Sequence, residues 1–201
     1  MDRGSVKIAA STIPMNYILP EIIPKLKSSH PNFFYELLSS DSRETIELIK
    51  EAKADIGLVG NKITHPSLVY KKIYQDQIVL IGSEKFSSKI KIEQLKDLPF
   101  INRETGSGTK NAYALALKEK GISLSKLNLT AETSSSESIK KMVASHLGVA
   151  FISELAIKEE LKNNLLKIIK IDTLEILRDF YVIYLKNKKL NDPLKFFLKL
   201  I

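Results

Sequence analysis

The 201-residue sequence contains no cysteine and no tryptophan, and only three histidines, eight glycines and seven prolines. Each scarcity removes a class of chemistry. Without Cys there is no disulfide framework, no thiolate nucleophile and no thiolate metal site, and the absence fits a reducing compartment. His30, His65 and His146 are scattered along the chain, so a zinc site lacks its usual ligands and metal chemistry would fall to carboxylates alone. No apolar run approaches the roughly 18 residues of a membrane-spanning helix, and no membrane partner is expected. The opening MDRGSVKIAAS has no charged region followed by a long apolar stretch and a cleavage site, which makes the cytoplasm the expected location. The lead Met1 to Ser5 reads as an expression scar.

Arginine is scarce as well. Of 31 basic residues only Arg3, Arg43, Arg103 and Arg178 are Arg, whereas two-pronged recognition of bases and phosphates favours that side chain. The net charge of +8 is spread thinly, with 14 basic against 12 acidic residues in 1–100 and 17 against 11 in 101–201. A Lys-rich solvated surface explains it better than a nucleic-acid footprint.

What is present is globular in character: 44% apolar and 27% charged residues, in a chain long enough to bury about 70% of its unfolded surface. Apolar β-branched runs alternate with stretches of helical period, which predicts an α/β fold with largely parallel strands. Strands are predicted over residues 6–10, 33–38, 54–60, 78–83, 99–103, 127–133, 148–153, 165–171 and 179–186. Between them, Asp41 predicts the cap of a helix over 42–53, Ser135 or Ser136 opens a helix that stops at Gly148, and residues 111–121 form a helix ended by Gly121. Asp192 and Pro193 open a terminal helix over 192–200. A helix after the first strand carries Pro14, Pro20 and Pro24 and is predicted to bend.

Three predicted strands end in hydroxyl clusters that open helices: Ser11-Thr12 after the first, Glu104 to Thr109 after residue 103, and Ser134 to Ser136 after residue 133. Helix N-termini carry unpaired N–H groups and partial positive charge, so hydroxyls beside them suit a small anion. Open α/β sheets bind ligands at the carboxyl ends of their strands, where these clusters fall. Ordinary N-capping is the plain alternative for each cluster. The glycine stretch ETGSGTKNA matches neither phosphate-loop template: Gly108 is followed by Thr109 rather than Lys, and Asn111 stands where a dinucleotide fingerprint needs Gly or Ala. Neither a nucleophile elbow nor a carboxylate pair is present, so no catalytic set is assigned. Arg103, at a strand end beside Gly106-Ser107-Gly108, either meets a ligand anion or pairs with Glu104.

In order, VKIAASTIPMNYILPEIIPKLKSSHP, ADIGLVG, LVYKKIYQDQIVLIGS (as a strand pair), INRETGSGTK, SSSESIKKMVASHLGVAFISELAIKEEL and RDFYVIYLKN resemble the effector-binding domain of LysR-type transcriptional regulators. The resemblance covers residues 6–200. It implies two Rossmann-like α/β subdomains of the type II periplasmic-binding-protein fold, 6–81 with 181–201 and 82–180, joined by two crossover segments with a ligand cleft between. It also implies effector contacts at Ser11 and Thr12, Gly60, Ser107, Gly108 and Thr109, and Ser134 with Ser135. The implied effector is an anion or amino-acid derivative, with no cofactor or metal and no enzymatic activity. The implied assembly is a homodimer, and a tetramer in the full-length regulator. DNA would be met only through an N-terminal winged helix-turn-helix, which nothing before Val6 supplies. A solute-binding protein of a transporter and an enzyme on the same fold are the competing readings.

Overall fold

The computed structural model describes residues 4–201. Of the five-residue lead, Met1, Asp2 and Arg3 lie outside the described residues, and Ser5 opens the first strand. That strand, β1 (Ser5–Ser11), runs into a π-helical turn, Pro14–Ile18, and then α1 (Leu19–Ser29). The bend predicted from the prolines is met in this way. Pro20 falls in the first turn of α1, where a missing N–H costs nothing, while Pro24 lies inside the helix. There follow β2 (Phe34–Ser40), α2 (Ser42–Lys50), β3 (Ile56–Val59) and β4 (Leu68–Gly82). Asp41 caps α2 as expected, its Oδ1 accepting from the Glu44 N–H at 2.8 Å. The segment expected as two strands is the single 15-residue β4.

The remaining elements are β5 (Lys89–Ile90), β6 (Pro99–Arg103), α3 (Gly108–Glu119), β7 (Asn128–Thr133) and α4 (Ser136–Ala144). The chain closes with β8 (Ala150–Ser153), α5 (Lys158–Lys162), β9 (Lys167–Ile171), β10 (Ile176–Leu185) and α6 (Asp192–Leu200). α3 ends as predicted: Gly121 at φ +78° lets its own N–H and that of Ile122 turn back onto Lys118 and Leu117. Helices α2 and α4 end earlier than predicted, α2 at Lys50 rather than residue 53. α4 stops at Ala144, not at Gly148, because His146 takes the left-handed conformation (φ +67°) and closes the same hydrogen-bonded turn. Gly148 has a different task, since a Cβ there would lie 2.4 Å from the Pro99 carbonyl oxygen. α6 opens at Asp192 and Pro193 as predicted, and Asn191 before it supplies the cap, its Oδ1 accepting from the Leu194 N–H. Among the described residues no helix is long and apolar enough to cross a membrane.

The chain divides into two compact units, meeting at Gln75/Asp76 and Arg178/Asp179. Unit 1 holds the described residues up to Gln75 with Asp179–Ile201. Its strands run β2-β1-β3-β10, with β1 parallel to β2 and β3, and β10 antiparallel to β3. The period of two along β1 sorts its side chains: Ile8 and Ala10 join Leu19, Leu26 and Phe197, while Ala9 joins Ile46 and Ile49 of α2. Unit 2, Asp76–Arg178, has β4 antiparallel to β8 and β9, β5 parallel to β9, and β6 parallel to β7. Pairing in the chain is therefore mixed rather than largely parallel. The unit 2 core gathers Phe100, Tyr113 and Phe151, with Tyr113 stacked on Phe151 at 5.1 Å between ring centres.

Candidate functional site

In unit 2 the parallel register sets Arg103 of β6 against Thr133 of β7. Both strands therefore end at one level, and each turns directly into a helix. Ser107 caps α3, accepting from the Lys110 N–H at 3.3 Å. Ser135 caps α4, accepting from the Ser138 N–H at 3.1 Å. Thr133 Oγ1 accepts from the Ser135 N–H at 3.2 Å and fixes the second turn. Two helix N-termini thus leave neighbouring strand ends, and their unpaired N–H groups make that edge electropositive. Arg103, Ser107, Gly108, Thr109, Ser134 and Ser135 all belong to this edge of unit 2.

Arg103 is buried at the end of β6. Its Nε and Nη2 grip Glu104 with two bonds of 2.8 and 3.0 Å, and its Nη1 donates to Ser136 Oγ at 3.4 Å. Of the two roles open to it in sequence, the pairing with Glu104 is the one present in this structure. The next layer is also fully bonded. Tyr113 donates to Asn102 Oδ1 at 2.6 Å, and Asn102 Nδ2 and Lys110 Nζ both donate to Glu132 Oε2 at 2.7 and 3.0 Å. Burial pushes the Tyr113 hydroxyl far above the ordinary phenol range, so it stays a donor.

A second buried guanidinium was not foreseen. Arg178 donates through Nε and Nη2 to Asp76 Oδ2 at 2.9 and 2.7 Å, and through Nη1 to Thr109 Oγ1 at 2.8 Å. Ser153 donates to the other Asp76 oxygen at 2.8 Å. Burial pulls the Arg178 pKa down, Asp76 opposes that, and the charge of Arg103 adds to the lowering. The two guanidiniums therefore feel one another. A signal for Arg178 did exist: in a Lys-rich chain with four Arg, each Arg is a marked choice.

In unit 1, Ser11 ends β1 opposite Ser40 of β2, and Thr12 follows it. No side-chain cap is made at the π-helical turn beyond them, so the hydroxyl-capped helix expected there is absent. Gly60 follows β3, and its N–H donates to Ser42 Oγ at 3.3 Å. Ser40 and Thr45 share a 2.7 Å bond nearby. Ser42, missed in sequence, is the buried first residue of α2 and occupies the Gly60 amide.

The chemistry of the unit 2 edge is that of a receptor for acceptor atoms: hydroxyls, helix N-termini and guanidiniums, each buried cation already matched by a carboxylate. Known proteins place the chain in a family. Residues 1–201 match the family described as the LysR substrate binding domain. The chain belongs to that family. LysR substrate binding domains are ligand-sensing regulatory domains, and this chain is one. It is 32% identical over 197 residues, 95% of its length, to an HTH-type transcriptional regulator of Methanocaldococcus jannaschii, of which it spans 65%. The chain thus spans about two thirds of the length of that relative. Among solved structures, the regulatory domain of Synechocystis CcmR in complex with 2-PG superimposes with a TM-score of 0.88 at 24% identity, covering 98% of this chain and 95% of that one. The effector binding domain of QuiR in complex with shikimate does so with a TM-score of 0.84 at 15% identity, covering 98% and 95%. These likenesses show the periplasmic-binding-protein-like fold of LysR effector domains.

Proposed function

We propose that this LysR substrate binding domain senses a small anion, without catalysing its conversion, at the ends of β6 and β7. The observation that carries the reading is the pair of aligned helix N-termini, α3 and α4, with Ser107, Thr109 and Ser135 at them and Arg103 beside them. Gly108, Ser134 and Arg103 complete the proposed contacts in unit 2. Ser11, Thr12 and Gly60 are the proposed effector contacts of unit 1. Because the Gly60 amide is held by Ser42, its contribution is shape rather than a free donor. The whole regulator acts in the cytoplasm, reads DNA through a winged helix-turn-helix, and assembles as a homodimer that pairs into a tetramer.

Exposed apolar side chains on edge strands support the dimer. Phe34 on β2 is 67% exposed with Leu37 near it, and Leu129 on β7 is 50% exposed with Leu115 on α3. A second copy would cover such edges, and light scattering on Phe34→Lys is expected to show dissociation to monomer.

A thermal-shift series at constant ionic strength with sulfate, phosphate, 2-PG and shikimate tests the sensor. A ligand at 100 times its dissociation constant adds about 2.7 kcal/mol, or roughly 5 to 11 °C for a domain of this size. A selective shift that Ser107→Ala and Thr109→Val abolish is the expected result. Equal behaviour of all four, or a shift both variants retain, would overturn the assignment.

A further inference from the structure

The Thr109 side chain is only 2% exposed, and its oxygen accepts from Arg178 Nη1 at 2.8 Å. A hydroxyl has one hydrogen to donate, and a guanidinium offers no acceptor for it. Among the described residues Arg178 is the bonding partner of Thr109 Oγ1, so the hydroxyl hydrogen has no acceptor there. A buried donor in that condition is costly unless something arrives to take the bond. The incoming N⁺–H also polarises the O–H and makes it a stronger donor.

The orientation of Arg178 is in turn set behind it. Two nitrogens of its planar fork bind one Asp76 oxygen, and Ser153 at the end of β8 holds the other. Planarity then dictates where Nη1 lies, which an ammonium on a flexible stem would not do. Asp76 and Arg178 are also the first and last residues of unit 2. The ion pair therefore ties the strand by which the chain enters that unit, β4, to the strand by which it leaves, β10.

We infer that Arg178 is a positioning residue for the effector: held by Asp76, it fixes the Thr109 hydroxyl as a hydrogen-bond donor and relays occupancy there to both strands that connect unit 2 to unit 1. The inference rests on the proposed role of Thr109 as an effector contact. It narrows the ligand class to one that presents an acceptor-only oxygen to Thr109, such as an ionised carboxylate, phosphate or sulfate, and disfavours an ammonium or hydroxyl donor at that point.

A double-mutant cycle on the whole chain tests it, with calorimetric titration of sulfate, phosphate, 2-PG and shikimate. Thr109→Val should weaken the best of these about tenfold. Replacing the pair together, Asp76→Leu with Arg178→Met, removes the latch while keeping the site apolar and packed. That protein should lose about tenfold as well, and adding Thr109→Val to it should cost nothing further, whereas Thr109→Ser should retain native affinity. If Thr109→Val weakens binding equally with and without the pair, the positioning role is wrong and the effector contact stands. If Thr109→Val changes nothing, or none of the four probes binds, the contact itself is wrong and the inference falls with it. Should the paired replacement fail to fold, the native chain supplies the answer by nitrogen-15 NMR. The Arg178 Nε signal should move along the same isotherm as the Thr109 amide, and a silent Arg178 signal beside a shifting Thr109 amide would refute the relay.

Discussion

Both units end parallel strands in polar turns, yet they furnish those turns differently. At the ends of β1, β2 and β3 in unit 1 stand neutral hydroxyls: Ser11 lies opposite Ser40, Ser40 bonds Thr45, and Ser42 takes the Gly60 amide. At the ends of β6 and β7 in unit 2, hydroxyls cap two helices and two buried guanidiniums stand behind them. Neutral hydroxyls recognise shape and hydrogen bonding, whereas N-termini backed by guanidiniums recognise charge. The proposed charge recognition therefore rests on unit 2, whose strand ends carry the cations, whereas the strand ends of unit 1 carry neutral hydroxyls.

The largest way to break that contrast is to strip one partner from the buried pair. Asp76→Ala leaves Arg178 uncompensated and should cost about 3 to 5 kcal/mol in denaturant unfolding, while the paired Asp76→Leu with Arg178→Met should unfold near the native midpoint. No unit 1 strand-end substitution should approach the single change. Next in size, Gly148→Ala pushes a methyl against the Pro99 carbonyl and should cost about 1 to 3 kcal/mol. Ser42→Ala, which orphans the Gly60 N–H in unit 1, should cost about 1 to 3 kcal/mol, yet leave sulfate and phosphate binding within twofold. The two caps differ in what they hold. Asp41→Ala and Ser107→Ala should each lose about 1 kcal/mol of stability, and only Ser107→Ala should lose anion affinity.

The smallest effect concerns pH. The Lys72 ammonium, 2.6 Å from Asp179 in unit 1, holds that carboxyl below its ordinary value through its hydrogen bond, with Gln75 and Tyr181 assisting. A carboxyl lowered in the folded state contributes stability above its unfolded pKa and loses it as pH falls through the folded value. Asp179→Asn should therefore flatten the acid side of the stability profile and leave neutral-pH anion binding alone. An unchanged acid limb would show that solvent screens the pair completely.

Local chemistry explains what could be read in advance. β6 is legible over Pro99–Arg103 because the apolar Phe100 and Ile101 follow Pro99 and precede Asn102 and Arg103, and Ser135, Asp41 and Gly121 announce their helix ends through side-chain or backbone preferences. Where two local signals compete, sequence reading fails. His146 takes a conformation that Gly would take more cheaply, and the glycine two residues later carries the stronger stop signal. Ala52 does the same after α2, at φ +54°. The scarcity of Arg marks Arg178 but not its pairing: its partners Asp76 and Thr109 lie 102 and 69 residues away, and no pattern within a strand signals so distant a bond. The fold is written in local periodicity, whereas the backing of the candidate site is written in long-range pairing.

The most direct test of anion recognition in unit 2 is a residue-resolved amide titration with sulfate and phosphate, then 2-PG and shikimate, at constant ionic strength. Amides of residues 107–110 and 135–138 are expected to shift together along one saturable isotherm, with the helix N-termini moving most. Shifts confined to surface lysines, or saturable shifts that leave both helix N-termini still, would contradict it.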